Sequence, residues 1–287
     1  MKPDNRFLTQ PGYFWAYVRT ISENVGYTVR KKGLIKVPTL SEITAALNKL
    51  GLSTDRVASD DHQLTELGQT LSDYFVYRAD LLNHYVEPRL MNVERAESEF
   101  RDLFAQMKAP LRIPMNKQKG AKKAPAYFTG IINMLIHTYA DGVPVDFNPR
   151  RLTTVTRDGV PVRTLARQVD GAFPSLVNPI AVWEIKEYYY TTTFGSRVAD
   201  AVYESLLDGM EIKELSEHES ISIRHYLMVD SHYTWWECGR SYLCRIIDML
   251  HMGYLDEALF GYEVIERLPL LVSEWVEATR LHRSSTP

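Results

Sequence analysis

Residues 180–190 constrain this chain more than any other segment. β-Branched and aromatic residues dominate the run and Pro179 precedes it, the pattern of a strand. Within it stand Glu184 and Lys186. Side chains alternate along a strand, so both charges project from the face that carries Ile180 and Val182, while Trp183 and Ile185 point the other way. Charges on an apolar strand are costly unless they are compensated, so this pair calls for a chemical reason. Upstream, with thirteen residues between it and Glu184, Asp170 followed by Gly171 closes a second strand-like run, 160–169. The intervening Pro174, Asn178 and Pro179 suit a reversal of the chain, which would bring Asp170 beside Glu184.

Two carboxylates and an ammonium brought together in this way match the needs of a hard divalent cation. Mg²⁺ takes oxygen ligands in an octahedral shell, usually one or two carboxylates completed by water and substrate phosphate. Asp170 and Glu184 would supply the carboxylates, and the backbone carbonyl of Ile185 would add a third oxygen. Lys186 would lie by the attacking water, while the cation stabilises the charge that develops on a phosphate.

Asp170, the thirteen-residue spacer and the Glu184-Ile185-Lys186 triplet resemble the signature of the PD-(D/E)xK nuclease superfamily, which includes the type II restriction endonucleases. Val169 stands where that signature carries proline. The resemblance covers about 126–250. It implies a mixed α/β fold: a restriction-endonuclease-like core with a central mixed β-sheet flanked by helices, running helix, β-meander, helix, strand. It further implies a Mg²⁺-dependent endodeoxyribonuclease of the restriction-modification or anti-phage defence kind, acting on double-stranded DNA as a homodimer. A cognate methyltransferase or a defence-complex subunit would be its companion.

The remainder of the chain divides by composition. Residues 1–108 read as a helical domain for DNA recognition or dimerisation. Helices are expected over 11–29, from an N-cap at Ser41 to Gly51, from 64 through Leu82, and over 88–107. A segment about 35–77 resembles a winged helix. Residues 109–125, rich in proline and lysine, read as a basic linker, and 126–287 as the nuclease core with closing helices. In that core we expect a helix over 127–139, a helix from Ser196 that ends near Gly209, a strand over 221–229, and two final helices over 238–259 and 263–281. Glu187 reads as a solvated position, Glu204 as a solvated helix residue with a further site carboxylate as the alternative, and Glu97 and Glu99 as part of an exposed acidic face.

The net charge of −3 means that any hold on a nucleic acid comes from local clusters rather than from a global positive field. Lys117, Lys119, Lys122, Lys123, Arg150, Arg151 and Arg197 form the phosphate-contacting set. The two cysteines, Cys238 and Cys244, make neither a disulfide framework nor a zinc site by themselves. With no apolar leader and no membrane-length apolar run, a cytoplasmic protein is expected. No phosphate-binding or dinucleotide-binding glycine motif is present. The contrasting reading is a non-enzymatic DNA-binding regulator or scaffold that works through the winged-helix-like segment.

Overall fold

A computed structural model describes residues 1–29, 33–59, 61, 63–118, 121–190 and 195–284, with side chains omitted at 116–118, 121–123, 196 and 282–284. Arg30, Lys31, Lys32, His62, Lys119 and Thr191 to Thr193 lie outside the described residues, as do the side chains of Lys117, Lys122 and Lys123.

The chain is a mixed α/β protein built on a five-stranded mixed sheet. Its spatial order is Glu257–Phe260, Arg224–Asp230, Ala181–Glu187, Gly171–Phe173 and Asp146–Phe147. The first three strands run parallel, and the last two continue antiparallel as a meander. The strand Ala181–Glu187 sits centrally and is buried on both faces, hence its nearly continuous apolar sequence.

One face of the sheet presents Phe173, Trp183, Tyr226 and Met228 to the helices Val93–Met107, Tyr127–Tyr139 and Glu263–Ser284. Trp183 stacks on Trp275, with ring centroids 5.7 Å apart and planes 10° from parallel. The opposite face presents Val182, Leu227 and Val229 to the helices Ser196–Glu219 and Arg240–His251. A separate aromatic core around Phe14, Trp15 and Tyr74 holds the N-terminal helices together. Buried Arg78 reaches from the helix Glu66–Asp80 to Asp248 of Arg240–His251, with Nη1 at 2.9 and 3.0 Å from the two carboxylate oxygens. Both cysteines are free thiols, and among the described residues no helix is long and apolar enough to cross a membrane.

Several elements differ from their sequence expectation, each for a physical reason. Residues 160–169 do not join the main sheet. Val160–Thr164 instead pairs with Thr154–Arg157 in a hairpin, closed by Asp158 and Gly159 at positive φ, the geometry that hairpin turns favour. The partner of the central strand is Gly171–Phe173, so Asp170 precedes a strand rather than ending one. Residues 238–259 are not a single helix. A π-helical turn His232–Cys238 leads into Arg240–His251, and Gly253 at φ +75 lets the chain turn into the edge strand Glu257–Phe260. Glu257, Ala258 and Leu259 are good helix formers; pairing with Arg224–Asp230 and full burial override that preference.

The helix that begins at Ser196 passes through Gly209 and ends at Glu219. Gly209 serves there for close packing, since a Cβ would stand 2.3 Å from the Tyr254 carbonyl oxygen. Thr39, not Ser41, caps Leu40–Lys49, because Thr39 and Glu42 form a reciprocal capping box. Residues 50–65 separate that helix from Glu66–Asp80. The basic segment 109–125 contains a hairpin of Met115–Gln118 with Ala121–Pro125.

Gly171 faces Trp183 across the ladder, and a Cβ there would lie 2.1 Å from Cε2 and Cζ2 of the indole. Gly171→Ala is therefore expected to destabilise the fold by about 1–3 kcal/mol in urea unfolding, the usual cost of overpacking. Gly12→Ala, where nothing lies within 4 Å, is expected to be neutral or slightly stabilising; equal effects from the two would contradict the packing argument.

Candidate functional site

The antiparallel pairing of Gly171–Phe173 with Ala181–Glu187 ends at Gly171 and Trp183. Beyond that pair, Asp170 brackets Glu184. Its N–H donates to the Trp183 carbonyl at 3.1 Å, and its Oδ2 accepts the Ile185 N–H at 2.7 Å. The Pro174–Pro179 reversal thus has the expected result of bringing Asp170 beside Glu184. The contact at Ile185 is through its N–H. Asn148 N–H donates to the Asp170 carbonyl at 2.9 Å, which ties the outer strand's end to the same point.

Glu184 is fully buried and Lys186 is 7 % exposed. Both lie on the sheet face covered by Ser196–Glu219. Lys186 Nζ donates to Glu184 Oε2 at 2.7 Å and to Glu204 Oε2 at 2.9 Å. Arg167 completes the cluster from the loop before Asp170. Its Nη1 lies 2.6 Å from Asp208 Oδ2 and 3.0 Å from Glu184 Oε1, and its Nη2 lies 3.1 Å from Glu204 Oε2. The approach to Glu184 Oε1 is an ion pair without hydrogen-bond geometry, so that oxygen and Asp208 Oδ1 are buried without a hydrogen-bond partner.

Four carboxylates, Asp170, Glu184, Glu204 and Asp208, therefore meet two cations, Lys186 and Arg167. Fully ionised, the cluster would carry two uncompensated negative charges in a largely buried setting, which is costly. The acids respond accordingly. Burial, and then the neighbouring Glu184 charge, push Asp170 up to about 6 and Asp208 up to about 7. Burial works against the charge of Lys186, yet Glu184 and Asp170 hold its ammonium above the ordinary lysine value. Glu184 and Asp208 likewise hold the Arg167 guanidinium charged against the effect of burial.

The structure thus brings together Asp170, Glu184 and Lys186. Arg150, Arg151 and Arg197 are exposed. Arg150 and Arg151 follow closely on Asn148, and the Arg197 carbonyl accepts the Tyr188 hydroxyl at 3.2 Å, just past the end of the Glu184 strand. Sequence reasoning missed Arg167 and Asp208 and preferred a solvated Glu204 to its alternative as a site carboxylate. The available signal was the four-residue spacing of Glu204 and Asp208, which places them on one face of a helix.

Two other acidic positions have structural roles. Glu187, expected to be solvated, accepts the Thr129 N–H at 3.0 Å and hydroxyl at 2.8 Å, at the start of Tyr127–Tyr139. Asp230 accepts the N–H groups of Met91 and Ser231, both at 2.8 Å, and the Tyr189 hydroxyl; burial raises it to about 8. Glu97 pairs with Arg101 one helical turn away. Among the described residues, no three His, Cys, Asp or Glu side chains are disposed to hold a metal ion together.

Asp170 and Asp208 have folded-state values above the ordinary aspartate range, so the folded chain retains protons that the unfolded chain releases. Their contribution to stability is fully present below about pH 4 and is lost as pH rises through about 6 and about 7. Asp208→Asn removes one of the two titrations. Without divalent cations, the variant's stability relative to wild type is expected to improve as pH rises from about 4 to about 8. Urea unfolding across that range measures it, and a flat or opposite trend would contradict the assignment.

Searches of curated proteins and of solved structures give no match. A family model described as domain of unknown function (DUF7690) matches residues 1–85, and the break before the second match falls at the end of the π- and 3₁₀-helical stretch Leu81–Arg89. Residues 91–275, which contain every member of the charged cluster, match the family described as domain of unknown function (DUF7687), and the chain belongs to that family.

Proposed function

We propose that this protein is a Mg²⁺-dependent endodeoxyribonuclease of the PD-(D/E)xK type, with Asp170 and Glu184 as cation ligands and Lys186 as the residue beside the attacking water. The observation that carries the reading is the meeting of these three side chains on one side of adjoining strands, in a cluster short of positive charge. Two carboxylates suffice for Mg²⁺, which completes its shell with water and phosphate oxygens. Glu184 Oε1, buried without a hydrogen-bond partner, is the feature expected where a cation is to be received. The order of elements adds support: the helix Tyr127–Tyr139, the meander of Asp146–Phe147, Gly171–Phe173 and Ala181–Glu187, the helix Ser196–Glu219 and the parallel strand Arg224–Asp230 follow the arrangement that the sequence resemblance implies.

When bound, Mg²⁺ stabilises the negative charge that develops on the scissile phosphate. The chain's own groups do the rest. Asp170, anchored by the Ile185 N–H, and Glu184, anchored by Lys186, are held rigid before substrate arrives. Lys186 orients the water that attacks phosphorus in line and opposes the build-up of negative charge. Exposed Arg150, Arg151 and Arg197, with the lysines of 117–123, contact backbone phosphates, which gives affinity that falls with salt. Two such sites in a homodimer would cut both strands, as the proposed restriction or anti-phage role requires.

The test is cleavage of a long double-stranded DNA with and without Mg²⁺, with an RNA arm alongside. Asp170→Ala and Lys186→Ala are each expected to lower the rate by about 10²–10⁴-fold while DNA binding in a gel-shift assay is kept. Metal-dependent cleavage that survives both changes unaltered would reject the site; DNA binding with no cleavage of any substrate by wild type would favour the non-enzymatic regulator.

A further inference from the structure

Arg167 has no counterpart in the sequence motif, yet it touches more of the cluster's acids than Lys186 does. Its guanidinium spans Glu184 at 3.0 Å, Glu204 at 3.1 Å and Asp208 at 2.6 Å. A planar fork of five donors is suited to bridging several carboxylates at once. Glu184 and Asp208 are fully buried, whereas the Arg167 side chain keeps 23 % exposure. The guanidinium therefore has a path to solvent that Glu184 and Asp208 lack.

The loop that carries it is tied down independently. Ala166 N–H donates to Glu211 Oε2 at 3.0 Å, and Arg163 pairs with Glu214 at 3.0 Å. Its side chain can thus move without the loop leaving the helix. Glu184 has Lys186 on one oxygen and Arg167 against the other, so a cation that approaches Glu184 meets Arg167 at Oε1.

We propose that Arg167 is a cation latch: its guanidinium occupies Glu184 Oε1, where the divalent cation shared with Asp170 would bind, and must swing toward solvent, leaving Asp208 as well, before the cation binds. The inference rests on the metal-site reading above. The exchange is physically reasonable because a dication returns two positive charges where the guanidinium supplies one, and Glu184 Oε1 meets the guanidinium outside hydrogen-bond geometry. Arg167 is a positioning residue in this account. It keeps Glu184 in place while the cation is absent, and it makes the affinity for the cation lower than the carboxylates alone would give.

Calorimetric titration of the full chain with Mn²⁺ and with Mg²⁺ tests this, alongside thermal unfolding in the same solutions. Arg167→Gln is expected to bind Mn²⁺ at least about tenfold more tightly than wild type. It is also expected to melt lower than wild type without the cation and to regain more of its Tm at saturation. Should that variant fail to fold, Arg167→Lys keeps the charge but loses the fork, and is expected to tighten binding by a smaller factor. Unchanged or weaker cation binding in the folded variant, with wild type binding normally, overturns the latch alone. No cation binding by either chain overturns the metal site itself, and the latch with it.

Discussion

The Glu184 carboxylate is the centre of the charged network between the sheet and the helix Ser196–Glu219. It is fully buried, and a buried ionised carboxylate is tolerated only where cations or hydrogen-bond donors compensate it. Lys186 supplies one from the same strand, and Arg167 supplies the other from the loop before Asp170. Those cations in turn draw in Glu204 and Asp208, which fastens the helix Ser196–Glu219 over the sheet. The result is a network that remains rich in acid. Replacing either cation would leave carboxylates buried without compensation, so the cluster is a costly feature unless it has work to do.

The opposite face of the same strand explains how the cluster is held so firmly. Trp183 alternates with Glu184 and is locked between Gly171 and the stacked ring of Trp275. Gly171 has no side chain for a reason of space, because the indole occupies the position of its Cβ. That close approach sets the pairing of the two strands, and the pairing sets Asp170 against Glu184. Aromatic packing on one side of the sheet thus fixes the geometry of the acids on the other. Functional groups mounted on strands supported in this way are more precisely placed than groups on loops.

The parts of the chain that could be anticipated from residues are those where local pattern and tertiary environment agree. The central strand, the helix Tyr127–Tyr139 and the juxtaposition of Asp170 with Glu184 belong here. Gly171–Phe173 was hidden because a three-residue strand shows no alternation. Glu257–Phe260 was hidden because its residues favour a helix and adopt a strand only through pairing with Arg224–Asp230. Gly209 looked like a helix end, although its role is to let Tyr254 approach. Arg167, Glu204 and Asp208 resemble ordinary surface residues until the long helix is laid on the sheet.

Strand alternation and proline geometry are local properties of the backbone, so the periodicities, the turn chemistry between Asp170 and Glu184, and the sharing of one face by Glu184 and Lys186 were legible in the residues. Which acids and bases gather around that pair was settled by long-range packing. Burial and charge pairing act between segments distant in sequence, and local pattern carries no record of them. The same holds for the choice between helix and strand at Glu257–Phe260, where a neighbouring strand's unpaired N–H and C=O groups outweighed the preference of the residues themselves.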